Sequence, residues 1–212
     1  MTGHAGPTTH AKLITDAAAR LASASDSPRL DAEVLLRHAA GLDRTSLFLA
    51  LRDAAPEKVQ SRFAALVERR LAGEPVAYLT GQREFMGMSF AVTPDVLVPR
   101  PETELLVEWA LSVLPALGQP VRAVDVGAGS GAIAVSVSSL APDTIDMAAV
   151  EPSTGAREII ARNASALLSP ERRERLKIVA GDLLTDESGP FELVLANLPY
   201  LTPEQIAENP ML

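Results

Sequence analysis

An apolar run leads directly into three closely spaced glycines in residues 121–131, which read VRAVDVGAGSG. The six residues from Val121 to Val126 suit a buried strand, and the apolar residues after Gly131 suit a helix. Glycines between a strand and a helix let the backbone approach a ligand, while the amides of the helix start face an anionic group. The segment therefore predicts a nucleotide-like cofactor at the carboxyl end of the first strand of an α/β domain.

The glycine loop does not identify the cofactor by itself. The candidate binding residues in it are Gly127, Ala128, Gly129, Ser130 and Gly131. Their spacing suits S-adenosylmethionine, but it also satisfies the dinucleotide fingerprint, and a tight turn without a ligand is a third interpretation. At this point the cofactor stays open between S-adenosylmethionine and NAD.

Strand-like and helix-like segments alternate beyond the loop. The predicted helices span residues 127–140 and 156–168, and the further strands span 145–150, 176–179 and 191–196. Such alternation is typical of a parallel sheet with right-handed crossovers. We therefore expect a doubly wound α/β domain in the C-terminal half.

Two more candidate cofactor positions follow the second and third of these strands. Glu151 comes directly after strand 145–150, where an acid can accept hydrogen bonds from both ribose hydroxyls. Asp182 and Leu183 follow the third strand, where a carboxylate can accept from the adenine amino group and a leucine can pack on the ring. A solvent-exposed glutamate and a turn-forming aspartate are the plain alternatives.

The last predicted strand runs into the tetrapeptide Asn197-Leu198-Pro199-Tyr200. An asparagine oxygen and the main-chain carbonyl beside it can both accept from one NH2 group, while a tyrosine ring lies flat against the amide or base that carries it. Such a site suits methyl transfer to nitrogen, although a strand-ending turn is the alternative. We predict these four residues to be catalytic, with Asn197 also binding the cofactor.

The composition of the chain indicates which binding partners and which cellular location to expect. The 212 residues carry a net charge of −8, which disfavours a nucleic-acid backbone as the main partner. There is no cysteine, and His4, His10 and His38 have no carboxylate at metal-ligand spacing, so no metal is predicted. No secretory signal and no long apolar run occurs, and we expect a cytoplasmic protein without a membrane span.

The N-terminal part is predicted to be helical. Apolar residues recur at helical spacing in 13–21 and 59–71, and Ser27, Pro28 and Gly41 mark the start and stop of a helix between them. The predicted organisation is a helical domain over residues 1–72, a connector with a β-hairpin over 73–100 and the α/β domain over 101–212.

Three more segments stand beside the loop and the tetrapeptide: SPRLDAEVLL at 27–36, GEPVAYLTG at 73–81 and VPRPETE at 98–104. With them the chain, from about residue 13, resembles the HemK-type protein-(glutamine-N5) methyltransferases that modify peptide chain release factors. The loop and tetrapeptide alone would fit many adenosylmethionine enzymes, including DNA adenine methyltransferases. The helical and connector segments are what favour this family.

The resemblance implies a five-helix domain that docks the release factor and a class I, Rossmann-like methyltransferase domain that holds S-adenosylmethionine. The substrate would be the glutamine of the Gly-Gly-Gln loop. Residues 127–131 would hold the methionine portion of the cofactor, Glu151 the ribose and Leu183 the adenine. The tetrapeptide would grip the glutamine amide.

The chain departs from the family pattern in two ways. Leu198 stands where the box usually has a first proline, and the sequence stops at Leu212 after four predicted strands, whereas such a domain normally has seven. We therefore expect a domain truncated at its C-terminus, with strand 191–196 as an exposed edge. That edge predicts poor stability or self-association, where a complete protein would be a monomer.

Three other functions stay open. A non-catalytic module that only binds release factors is favoured by the missing strands. An adenine methyltransferase acting on DNA or RNA uses the same tetrapeptide, but the acidity of the chain counts against it. A dehydrogenase would leave the tetrapeptide unexplained.

Overall fold

The computed structural model describes residues 8–118, 120–142, 145–184 and 190–198. The chain divides into two compact units, Met1–Thr80 and Gly81–Leu212. The domain boundaries predicted after residues 72 and 100 differ from this division into two units, and they remain predictions. None of the helices in the described ranges has the length and hydropathy that a membrane span requires.

The described part of the first unit is a set of five helices around one apolar core. These are α1 His10–Leu21, α2 Pro28–Ala40, α3 Arg44–Leu49, α4 Glu57–Leu71 and α5 Val76–Thr80. Their buried core includes Ile14, Leu35 and Phe63. The helices α1, α2 and α4 match the apolar periodicity of the sequence, whereas α3 and α5 are too short to show one.

The ends of α2 show how far local sequence predicts helix limits. Gly41 adopts φ 67° and ends the helix, because a residue without a β-carbon takes this left-handed conformation at little cost. Ser27 holds the N-cap position as predicted, but its side chain makes no capping hydrogen bond. Pro28 at the first helical position has no amide that needs a partner.

A hairpin opens the second unit. Strands β1 Gln82–Phe85 and β2 Met88–Ala91 pair antiparallel around Met86 and Gly87, which both have positive φ. The rings of Phe85 and Phe90 meet edge to face at 5.9 Å in the buried core. The predicted connector hairpin is therefore present.

A short 3-10 turn, Pro101–Thr103, follows the hairpin and leads into α6 Glu104–Val113. The proline stands at the start of this turn, and Glu102 and Glu104 lie in the first turns, where acidic side chains favour a helix start. The apolar side of α6 is buried through Val107 and Ala110.

The rest of the unit is a parallel α/β sheet. Its strands are β3 Val121–Val126, β4 Ile145–Val150, β5 Leu176–Val179 and β6 Leu193–Ala196, in the spatial order β5-β4-β3-β6. Three of the four strands have the predicted bounds, and β6 begins two residues later than expected. In the ranges described here β6 is an edge strand, with Val194 exposed and Leu195 buried.

The helices between these strands are α7 Ala132–Leu140, α8 Thr154–Leu167 and α9 Pro170–Glu174. The prediction that the first of them begins at Gly127 was wrong, because α7 begins at Ala132. Gly127, Gly129 and Gly131 all have positive φ, which no α-helix contains, so the loop stays irregular until the last glycine.

Candidate functional site

The register of the sheet brings three predicted site positions to one edge. Val126 pairs with Val150 on one side and with Ala196 on the other. The residues that follow are Gly127, Glu151 and Asn197. Since carboxyl ends of parallel strands in a doubly wound sheet form the ligand crevice, these three mark the candidate site.

The glycine loop is held against β4 by main-chain hydrogen bonds. The amides of Gly127 and Ala128 both donate to the carbonyl of Val150, at 2.9 and 3.0 Å, and the amide of Gly131 donates to Ala128 at 2.7 Å. Ser130 is buried. The loop is thus a rigid turn and not an open segment.

Two of the glycines are needed for different reasons. A β-carbon on Gly131 would lie 3.0 Å from Cγ2 of Ile160 on α8, so this glycine permits close packing of helix and loop. None of the described residues has an atom within 4 Å of a β-carbon on Gly129. With respect to these residues the space beside Gly129 is open, as expected where a ligand approaches the backbone.

Glu151 is buried and already oriented. Its Oε2 accepts from the amide of Gly129 and its Oε1 accepts from the amide of Ser153, each at 2.9 Å. A carboxylate has about four acceptor positions, so each oxygen keeps the capacity to accept once more. The predicted ribose-binding acid therefore lies beside the loop with its oxygens in fixed places.

Asp125 lies two residues before the glycine loop, and the sequence alone assigned it no role. It is fully buried, and its Oδ2 accepts from the amide of Ala134 in the first turn of α7 at 3.0 Å. Oδ1 has no partner among the residues described. Burial raises the pKa of Asp125 to about 7, with the Ala134 bond opposing the rise and the charge of Glu151 adding to it.

Asn163 on α8 is a second residue that the sequence analysis missed. Its Nδ2 donates to the carbonyls of Ala91 and Ser130, at 3.0 and 2.9 Å, and its Oδ1 accepts from the amide of Ala91 at 2.7 Å. The side chain thereby joins β2 to the glycine loop. The available signal was an asparagine on the apolar face of a helix, beside Ile160 and Ala164.

The first two residues of the tetrapeptide contact two other motifs. Nδ2 of Asn197 donates to Oγ1 of Thr103 at 2.9 Å. The side chain of Leu198 lies over Gly127, where a β-carbon would be 2.5 Å from its Cδ2. Pro199 and Tyr200 lie outside the described residues.

Asp182 and Leu183 follow β5, which ends at Val179. Leu183 is 55% exposed and has φ 57°, a conformation that a leucine rarely adopts. An exposed apolar side chain near the sheet edge is compatible with packing on a planar ring. The adenine-binding role of this pair stays a prediction.

The parallel sheet, the glycine loop at its edge and the acid after β4 define a Rossmann-like α/β domain with a ligand crevice at the carboxyl ends of its strands. Among solved structures it is similar to the ribosomal protein L11 methylase of Lactobacillus delbrueckii subsp. bulgaricus, with TM-score 0.39 and 23% identity over 50% of this chain and 51% of that one. A protein-L-isoaspartate O-methyltransferase gives TM-score 0.36 and 18% identity, over 62% of this chain and 42% of the other.

Sequence comparisons show which proteins the chain resembles. Residues 12–81 match the PrmC N-terminal domain. Over 187 residues the chain is 45% identical to the release factor glutamine methyltransferase of Burkholderia pseudomallei (strain K96243), which covers 87% of this chain and 65% of that protein. The corresponding protein of Escherichia coli (strain K12) is 39% identical, covering 84% of this chain and 62% of its own length.

Over most of its length the chain is therefore similar to release factor glutamine methyltransferases. The resemblance found in the sequence is thereby confirmed. The chain spans less than two thirds of the length of these two relatives.

Proposed function

We propose that this protein transfers a methyl group from S-adenosylmethionine to the side-chain amide nitrogen of the glutamine in the Gly-Gly-Gln loop of peptide chain release factors. The observation that carries the proposal is the state of the Asn197 carboxamide. Its nitrogen is engaged by Thr103, and its oxygen accepts no hydrogen bond from the residues that the structure describes. An acceptor therefore remains beside the glycine loop for an incoming NH2 group.

The residues present fit S-adenosylmethionine. Open space at Gly129 admits a ligand to the loop backbone, and Glu151 offers two fixed acceptor oxygens to a ribose. Residues 127–131 would hold the methionine portion, and Asp182 and Leu183 the adenine. When bound, this cofactor supplies an electrophilic methyl group on a sulfonium.

The protein's contribution to the chemistry is positioning. An amide nitrogen is a weak nucleophile because its lone pair is delocalised into the carbonyl. Oδ1 of Asn197 and the main-chain oxygen of Leu198 would accept the two N–H bonds of the substrate, which orients the nitrogen and increases its electron density. The proton that the nitrogen loses can pass to water or to Oδ1 of Asn197. No charged base is required in contact with the nitrogen.

The same acceptor pair would also suit the amino group of adenine. The net charge of −8 favours a protein loop over a nucleic acid as the substrate. We assign release-factor docking to the helical unit, since residues 12–81 match the family's N-terminal domain. A protein substrate of translation also accords with the expected cytoplasmic location.

The test is methyl transfer from labelled S-adenosylmethionine to a purified release factor, followed by mass analysis of the peptide that contains Gly-Gly-Gln. We expect one methyl group on the glutamine, and none on a release factor in which that glutamine is replaced by alanine. An adenine-containing DNA duplex and an RNA serve as competing substrates. Methylation of a nucleic acid, or tight release-factor binding without transfer, would contradict the proposal.

A further inference from the structure

We propose that Thr103 is a positioning residue that orients the Asn197 carboxamide for the substrate amide; this inference rests on the proposed function. A carboxamide presents an oxygen acceptor at one end and an NH2 donor at the other, and a half turn about its bond exchanges them. A substrate NH2 group is bound only by the oxygen. The orientation of this one group therefore decides whether the site accepts its substrate.

The structure shows what holds that orientation. Nδ2 of Asn197 donates to Oγ1 of Thr103 at 2.9 Å, so the nitrogen end is turned toward Thr103 and the oxygen end away from it. Asn197 is exposed, and no other hydrogen bond of its side chain is found in the described ranges. Without Thr103 the carboxamide would rotate freely in water.

Thr103 is presented by a constrained backbone. It is the last residue of the 3-10 turn that Pro101 begins, and its own amide donates to the carbonyl of Arg100 at 3.0 Å. The next residue, Glu104, accepts from the amide of Met86 in the hairpin turn at 2.7 Å. The backbone that carries the threonine hydroxyl is thus held by two hydrogen bonds, one at Thr103 itself and one at the side chain of Glu104.

The backbone of Asn197 is fixed from the other side. Ala196 pairs with Val126 in the sheet, and the side chain of Leu198 lies on Gly127. The side-chain torsions of Asn197 are what the sheet leaves undetermined, and the bond to Thr103 sets them. This gives a physical reason for the segment at 98–104 and the tetrapeptide at 197–200 to occur in the same chain.

Matched variants separate the hydroxyl from the shape of the side chain. Thr103→Val keeps the branched shape and removes the acceptor, whereas Thr103→Ser keeps the acceptor and removes a methyl group. We expect Thr103→Val to lower kcat for release-factor methylation on the order of tenfold, the size of one lost neutral hydrogen bond. We expect Thr103→Ser to stay within about threefold of the unsubstituted protein.

A second readout shows that Thr103 acts through Asn197. In the Asn197→Ala background, Thr103→Val should leave the residual rate unchanged, because the group that it positions is gone. The dissociation constant for S-adenosylmethionine, measured by calorimetry, should be the same for Thr103→Val, Thr103→Ser and the unsubstituted protein. Melting temperatures establish that each variant is folded, and Thr103→Ala replaces Thr103→Val if the valine is not tolerated.

The outcomes are distinct. An unsubstituted protein that leaves the glutamine unmethylated removes the proposed function and this inference with it. With an active protein, the inference alone is overturned if Thr103→Val keeps its kcat, if Thr103→Ser loses as much as Thr103→Val, or if the effects of Thr103→Val and Asn197→Ala multiply.

Discussion

The side chain of Leu198 lies against Gly127 so closely that a β-carbon there would be 2.5 Å from its Cδ2 atom. Gly127 also has φ 70°. The first glycine of the loop is therefore required both by its own torsion and by the tetrapeptide that packs on it. Two motifs 71 positions apart in the chain, at residues 127 and 198, form one surface.

Gly127→Ala is expected to impair turnover more than stability. Its left-handed torsion should cost about 1 to 2 kcal/mol of unfolding free energy, and Leu198 must move because the contact is with the end of its side chain. Gly129→Ala is the stability control, since Gly129 has φ 55° and no atom of the residues described lies within 4 Å of the new β-carbon. Urea unfolding should give similar losses for both.

Adding Leu198→Ala to Gly127→Ala should recover turnover, because the main-chain oxygen of residue 198 is kept and the crowding is removed. Turnover that is as low in the double variant as in Gly127→Ala would show that the contact is irrelevant to the site. The measurement is methyl transfer to a release factor at saturating S-adenosylmethionine.

Asn197→Ala should abolish most turnover in a folded protein. Removing one preorganised group that stabilises a transition state costs about 10² to 10³ in kcat, while an exposed side chain contributes under about 0.5 kcal/mol to stability. Val194→Ala is the matched control, because Val194 is 52% exposed on β6, the strand that Asn197 follows. Near-normal methyl transfer by a folded Asn197→Ala protein would refute the assigned role.

Much of the fold is legible in the sequence. Strands β3 and β4 have the predicted bounds because each is a largely apolar segment bounded by polar, glycine or proline residues, and β5 ends shortly before Gly181. Helices α3 and α5 were not predicted because six and five residues do not complete two helical turns. The start of α7 was predicted too early because glycine torsions are set by tertiary contacts and not by residue type.

Some residues of the candidate site could likewise be predicted from the sequence, and others could not. The glycine loop and Glu151 could be placed from their positions at strand ends, since a parallel sheet brings such ends together. Thr103, Asn163 and Asp125 could not be assigned roles from local pattern. The bonds of Asn163 to Ala91 span 72 positions and that of Thr103 to Asn197 spans 94, and no periodicity encodes such pairs.

Asp125 should make the protein less stable as the pH rises toward neutrality. Its pKa is about 7 in the folded protein and 3.8 without burial, so between these values the folded state binds more protons than the unfolded state. Stability from this group is fully present below about pH 4 and is lost by about pH 7, on the order of 3 kcal/mol. Urea unfolding across pH 4 to 8 measures the decline.

Asp125→Asn should lack the decline in stability that this carboxyl causes as the pH rises, since the amide does not ionise. Asp146→Asn makes the same chemical change at an exposed position of β4 and should keep it. An Asp125→Asn protein whose stability falls with pH as steeply as that of Asp146→Asn would place the titrating group elsewhere.

Asn163→Ala is expected to destabilise the second unit by about 3 kcal/mol, because it leaves buried main-chain groups of Ala91 and Ser130 without partners. Affinity for S-adenosylmethionine should fall as well, since the glycine loop loses its support. Arg162→Ala, an exposed change on the same helix, is the control for α8. Equal stability of the two variants would show that the three bonds contribute little.

The helical unit contains two ion pairs that differ in how far they are buried. Arg70 Nε lies 2.8 Å from Asp31 Oδ2 with both side chains largely buried, whereas Lys12 and Asp16 pair in the open on α1. Asp31→Ala should cost about 2 kcal/mol because it leaves a partly buried guanidinium unpaired, and Asp16→Ala about 0.3 kcal/mol. Denaturant unfolding monitored by circular dichroism gives both values, and equal losses would contradict the burial argument.

The two hydrogen bonds that backbone amides donate to the Glu151 carboxylate affect how tightly this side chain can bind a sugar diol. A free glutamate side chain gives up rotational freedom when a diol docks on it, and that loss is subtracted from the binding free energy. Here folding has already frozen the carboxylate, so a sugar that arrives encounters an immobile acceptor and incurs only its own ordering cost.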